Sequence, residues 1–122
     1  MTLKKTLVLG ASLKPERYAH QAILKLRAAG HPVLAVGRQA GTIADVQVQT
    51  QMDLTWTEID TVSVYLQKAH QVQYIEAIFQ YQPKRVLFNP GTENPFLSKQ
   101  LQNRGIITEN ACNLVLLTTD QY

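Results

Sequence analysis

A chain of 122 residues, 45% apolar and 17% charged, is long enough for one hydrophobic core and too short for two, which excludes a disordered segment and a two-domain enzyme. Its net charge of +3 comes from scattered basic residues, with no block beyond Lys4-Lys5 and Lys84-Arg85, so it carries no nucleic-acid stripe and suits a small anionic ligand better. One cysteine, Cys112, excludes an internal disulfide and a CxxC redox or zinc site, and no apolar run approaches the roughly 18 residues of a membrane span.

With no repeat, low-complexity tract or sustained apolar leader, the expectation is a single domain over residues 1–122, in the cytoplasm and without a membrane. Thr6 to Leu9 reads as a buried strand. Ala19, Ala22, Ile23 and Leu26 line one face of a helix that Gly30 ends. Pro32 to Val36 is a second strand, closed by Gly37. Gly41 to Trp56 is irregular, with Val46-Gln47-Val48 as a short edge strand and a helical turn at Asp53-Leu54-Thr55. Thr61 to Tyr65 is the next strand. From Lys68 to Gln82, the spacing of Val72, Ile75 and Phe79 predicts one amphipathic helix, stopped by Pro83. Arg85 to Phe88 is another strand, and Asn94-Pro95 starts a helix, with Asn94 as cap and Pro95 in the first turn, where its missing N–H is not needed. That helix carries Leu97 and Leu101 and ends at Gly105. A last strand begins at Gly105-Ile106-Ile107, and Leu114 to Leu117 is apolar without a defined type.

Strands alternating with helices imply right-handed crossovers and a mainly parallel sheet covered on both faces. The fold expected is therefore α/β: a single-domain, Rossmann-like three-layer sandwich of about five strands. In such sheets a ligand lies beyond the carboxyl ends of the strands, where strand order reverses. Four loops meet that rule: Gly10–Arg17, Gly37–Gly41, Tyr65–Lys68 and Asn89–Asn94.

The first loop combines Gly10, Ala11 and Ser12 with the cations Lys14 and Arg17, directly before a helix. Glycine lets the backbone turn, and the free N–H groups of a helix start attract phosphate. The dinucleotide fingerprint's second glycine is Ser12 here, which either contacts a phosphate or caps a tight turn. Arg38, just past the second strand, stands where an acid would read a free ribose hydroxyl and an arginine accommodates a sugar phosphate. The ligands favoured are thus NADP or coenzyme A. His20, His31 and His70 lack partnering nucleophiles or metal-spaced neighbours, Glu93 lacks a visible partner as a base, and Cys112 reads as a small buried hydrophobe. No catalytic constellation or metal site emerges.

These residues together resemble the small stand-alone CoA-binding proteins, which share their fold with the CoA-binding domain of succinyl-CoA synthetase. The resemblance runs over nearly the whole chain. It rests on Leu9-Gly10-Ala11-Ser12 with Pro15 and Arg17, on Gly30, Val33 and Val36-Gly37-Arg38, on Val64-Tyr65, on Arg85 to Gly91 with Glu93-Asn94, and on Gly105-Ile106 and Cys112. It implies that Gly10, Ser12 and Arg17 hold a diphosphate and that Val36 and Arg38 border the adenosine and its 3′-phosphate. It also implies that Tyr65, Asn89, Pro90, Gly91 and Glu93 line the pantetheine path. The chain departs from the family pattern at Val36-Gly37, at Leu66 and at Glu109-Asn110-Ala111, each change removing a possible ligand contact. The function expected is non-catalytic binding of CoA or an acyl-CoA. The alternatives are an NADP-binding oxidoreductase-like domain and a ligand-free interaction protein.

Overall fold

The computed structural model describes residues 2–122. Its centre is one sheet in the order β3-β4-β2-β1-β5-β6-β7, built from β1 (Thr6–Ala11), β2 (Val33–Gly37), β3 (Gly41–Ile43), β4 (Val46–Gln49), β5 (Thr61–Val64), β6 (Arg85–Phe88) and β7 (Ile107–Asn110). Every pairing is parallel except the β3–β4 hairpin. The sheet has seven strands where the sequence predicts about five. The difference is the segment after β2, where Gly41–Ile43 folds back on Val46–Gln49 and takes the edge position expected of Val46–Val48.

The strands of the middle of the sheet are buried on both faces, as their continuous apolar runs require. Helix α1 (Tyr18–Ala28) and the short α5 (Asn113–Thr118) cover one face. Ala19, Ile23 and Leu26 of α1 pack there against Val8, Ala11, Ala35, Val46 and Val48. On the other face Leu97 and Leu101 of α4 (Pro95–Asn103) and Ile78 of α3 (Ile75–Tyr81) pack against Leu7, Leu9, Val62, Val64, Val86 and Phe88. Asn94 caps α4 through its Oδ1, which accepts the Leu97 N–H at 3.1 Å, with Pro95 in the first turn as expected.

One expectation holds and one fails locally. Asp53 to Trp56 makes a single isolated turn, with the Trp56 N–H on the Asp53 carbonyl (3.2 Å) and the Asp53 carboxylate accepting the Thr55 N–H (2.9 Å). The helix predicted over Lys68–Gln82 is broken into α2 (Lys68–Gln71), a 3-10 turn (Val72–Tyr74) and α3. Val72, expected on the apolar face, is 69% exposed, and Gln71 is buried in its stead. The cause is polar. Gln71 Nε2 donates to the carbonyls of Leu66 (2.9 Å) and Thr92 (2.8 Å), and its Oε1 accepts from Asn94 Nδ2 (2.9 Å). Three bonds, two of them from the loop of Thr92 and Asn94, outweigh the burial of one valine.

Candidate functional site

From β1 the chain runs to β2 on one side, while β5 lies on the other, so strand order reverses between β1 and β5. The loops after those strands meet over the reversal point. Gly10 makes a bulge at the end of β1, where the register against β2 slips between Leu9 and Ala11. Its φ is +97°, and a Cβ there would lie 3.0 Å from the carbonyl carbon of Tyr65 and 3.1 Å from the Leu66 side chain. The missing side chain thus leaves room for the β5 loop.

Beyond the bulge the chain makes a tight turn into α1. Ser12 Oγ accepts the Lys14 N–H at 3.2 Å, the capping role, which leaves its own proton free to donate. His20 has no nucleophile or metal-spaced neighbour in the sequence, but its Nδ1 donates to the Ser12 carbonyl at 2.9 Å and clamps the turn onto the helix. No side chain caps α1. Gln21 is the first α1 residue whose N–H is bonded, to the Arg17 carbonyl at 3.1 Å, so the N–H groups of Tyr18, Ala19 and His20 have no partner among the described residues. The first turn of this 11-residue helix therefore presents open N–H groups and the positive end of the helix dipole.

The turn carrying Arg38 is packed beside this loop. A Cβ on Gly41 would come within 2.7 Å of Leu13, and one on Gly37 within 2.2 Å of the Ala11 carbonyl oxygen. Lys14, Arg17 and Arg38 are all exposed, and none is ion-paired among the described residues. Ala11 and Val36 are buried in the core, at 7% and 1% exposure, so their side chains are not available to a ligand.

On the β5–β6 side the network is dense. Asn89 is buried, and its Nδ2 donates to Ser63 Oγ (3.0 Å) and the Val64 carbonyl (2.9 Å), while its Oδ1 accepts the Asn113 N–H (2.8 Å). Thr92 Oγ1 donates to the Asn89 carbonyl at 2.7 Å, and Glu93 accepts the Gly91 N–H at 2.9 Å. The side chains of Asn89 and Glu93 therefore shape the loop, and its exposed rim is Pro90, Gly91 and Glu93. Tyr65 packs its ring against the α1 side of the core and buries its hydroxyl beside Ser63 and Cys112. Burial, then the nearby Cys112, hold its pKa above the usual tyrosine value. Sequence reasoning missed Gln71, Thr92 and Asn113. Polar side chains without a motif carry no signal of burial.

The opposite, amino-terminal end of the strands holds two clefts, of about 810 and 530 Å³. The larger borders Lys4, His31 and Tyr122. His31 Nδ1 accepts the Lys4 N–H at 2.9 Å, and burial, then the charge of Lys4, push its pKa down, so it is a neutral structural ring. No group of three or more His, Cys, Asp or Glu among the described residues is placed to hold a metal ion, and no helix among them is long and apolar enough to cross a membrane.

Cys112 precedes α5 and is half-buried, not the core residue expected. Partial exposure makes its exchange cheap. Cys112→Ser is expected to leave ligand affinity unchanged and to cost about 1 kcal/mol or less. Calorimetry and thermal melts check this, and rapid selective alkylation of Cys112 at neutral pH would contradict the reading of an unactivated thiol.

Residues 4–118 match the model of the CoA binding domain family, and the chain belongs to that family. The crystal structure of an uncharacterized protein is 35% identical, covers 100% of both chains and superposes with a TM-score of 0.95. A hypothetical protein from Pyrococcus horikoshii OT3 is 26% identical over 93% of this chain and 80% of its own, with a TM-score of 0.82. The dinucleotide-forming acetyl-coenzyme A synthetase 1 of Ca. Korarchaeum cryptofilum, in complex with phosphate and ADP, covers 88% of this chain at 15% identity and a TM-score of 0.69. This chain covers 25% of that synthetase, a likeness of fold alone. No curated protein matches.

Proposed function

We propose that this chain binds coenzyme A or an acyl-CoA without catalysing a reaction on it. The observation that carries the reading is the grouping of three exposed, unpaired cations, Lys14, Arg17 and Arg38, around the open N-terminus of α1 at the reversal point of the sheet. The α1 amides, Ser12 and Arg17 hold the diphosphate, and Arg38 takes the sugar phosphate. The pantetheine arm runs past Tyr65 and the rim of Pro90, Gly91 and Glu93. Family membership supports the same ligand.

Thermal melts with CoA, NADP, NAD and AMP test this, since a ligand at 100 times its dissociation constant adds about 2.7 kcal/mol. Stabilisation by CoA above the others is expected. Response to NADP instead points to a dinucleotide domain, and response to none to an interaction protein whose crevice Leu66 has filled. Arg38→Ala is expected to weaken CoA roughly tenfold, the worth of a charge-assisted bond of about 1.5 kcal/mol, and to leave dephospho-CoA unaffected. Equal losses for both ligands by calorimetry would remove Arg38 from the sugar phosphate.

A further inference from the structure

Two of the histidines hold their backbone partners in opposite ways. His31 Nδ1 accepts the Lys4 N–H at 2.9 Å, so its own proton sits on Nε2, and a second proton would break that bond. His20 Nδ1 lies 2.9 Å from the Ser12 carbonyl, which can only accept, so here the proton sits on Nδ1. The Nε2 of His20 has no partner among the described residues and is not buried, so it can take a second proton from solvent with the bond to Ser12 intact. Of these two rings, His20 alone is placed to change charge without disturbing the fold.

What His20 holds is the turn between β1 and α1. The Ser12–Leu13 peptide is trans, so a Ser12 carbonyl held against the imidazole turns the Leu13 N–H the opposite way. The N–H groups of Ser12 and Leu13 have no partner among the described residues, and the Ser12 hydroxyl is free to donate. The charged groups around the ring are Lys14, Glu16 and Arg17 on the same loop and Arg38 in the adjoining turn. The elements packed against α1, namely β1, β2, β3 and α5, carry no charged side chain. The other titratable groups at this end are Tyr18, Tyr65, which burial keeps neutral, and Cys112. A second proton on His20 thus adds to surroundings that are already positive on balance.

We propose that His20 is a positioning residue for the ligand's diphosphate and makes its binding pH-dependent, with affinity rising as the imidazole takes its second proton. This rests on the CoA reading above and adds a regulation to it. The neutral ring orients the Ser12 turn through Nδ1. The charged ring keeps that bond and sets a further cation beside the anion. A bound anion favours the protonated ring, so the ligand raises the pH at which His20 titrates, and falling pH tightens binding by the same factor. The ligand is then held in mild acid and released as the pH rises through the range in which histidine loses its charge.

The test is calorimetric titration of the full chain, His20→Asn and His20→Leu with dephospho-CoA at about pH 5.5 and about pH 8. The diphosphate of that probe is esterified at both ends and keeps its charge across the range, so any pH dependence belongs to the protein. The parent is expected to bind roughly fivefold tighter at the lower pH, the worth of one added charge near a solvated anion. In His20→Asn the side-chain Nδ2 replaces Nδ1 as donor to Ser12, so its affinity should match the parent's at the higher pH and stay level. His20→Leu loses the donor as well and should bind several-fold more weakly than His20→Asn at both pH values. NMR titration of the His20 ring should show its midpoint rise when dephospho-CoA binds. A merely structural role would lower the melt of His20→Leu and leave the parent's affinity level with pH. The proposal alone is overturned by a parent affinity that does not change with pH or by equal affinities of the two variants. It is equally overturned by a pH dependence that survives in His20→Asn, which would pass to the exposed His70. A parent chain that binds neither dephospho-CoA nor CoA overturns the CoA reading and this assignment with it. If His20→Leu does not fold, His20→Asn and the ring titration decide.

Discussion

Gly37→Ala is expected to lower the melting temperature by roughly 10 °C or more. A Cβ at this position would sit 2.2 Å from the Ala11 carbonyl oxygen, 3.0 Å from its carbon and 3.3 Å from Val48. Two of those atoms are backbone, in the pairing of Ala11 with Gly37 at the end of the β1–β2 ladder, so no flexible side chain can yield. Overpacking costs typically about 1–3 kcal/mol and more where backbone must move, and each kcal/mol is worth roughly 3–5 °C in a domain of this size. The residue is glycine because of space, as its φ is not among the positive ones. A melt followed by circular dichroism checks the expectation, and an unchanged midpoint would mean that Ala11 moves aside freely. The substitution also displaces the turn that carries Arg38, so CoA affinity should fall with stability.

Gly10→Val is expected to abolish CoA binding and to destabilise the fold as well. Two effects add. A β-branched residue at φ +97° is strained by about 1–3 kcal/mol, and its Cβ would press on Tyr65 and Leu66 at 3.0 and 3.1 Å. The sequence alone argues for lost binding in a folded protein. The contact with the β5 loop adds the loss of stability, because the bulge can admit a side chain only by parting the β1 and β5 loops. Thermal melts with and without CoA separate the two effects. A variant that still responds to CoA as the parent does would place the ligand away from this turn.

What could be read from the chain by itself is what nearest neighbours along it decide. The apolar runs at Thr6–Leu9, Val33–Val36, Thr61–Val64 and Arg85–Phe88 are strands because runs of that length bury both faces. The face of Ala19, Ile23 and Leu26 and the Asn94-Pro95 start are helical for equally local reasons of period and capping. Alternation of those elements implies a parallel sheet, and the sheet places Lys14, Arg17 and Arg38 at its carboxyl end. The family's residue pattern then points to CoA.

Tertiary contacts decided the rest. Gln71 displaces Val72 from the interior because Thr92 and Asn94 come from another loop to bond it, and helical period does not register partners 21 and 23 residues away. Gly41–Ile43 is a strand only because Val46–Gln49 lies beside it, paired in turn to β2, so a segment of weak local preference acquires its form from the sheet edge it joins. The reason for Gly10 and Gly37 lies in atoms of Tyr65 and Ala11, far along the chain and near in space. Asn113, buried with its carboxamide empty, has no sequence signature, since burial of a polar group is set by which strands meet beneath it and not by its neighbours in the chain.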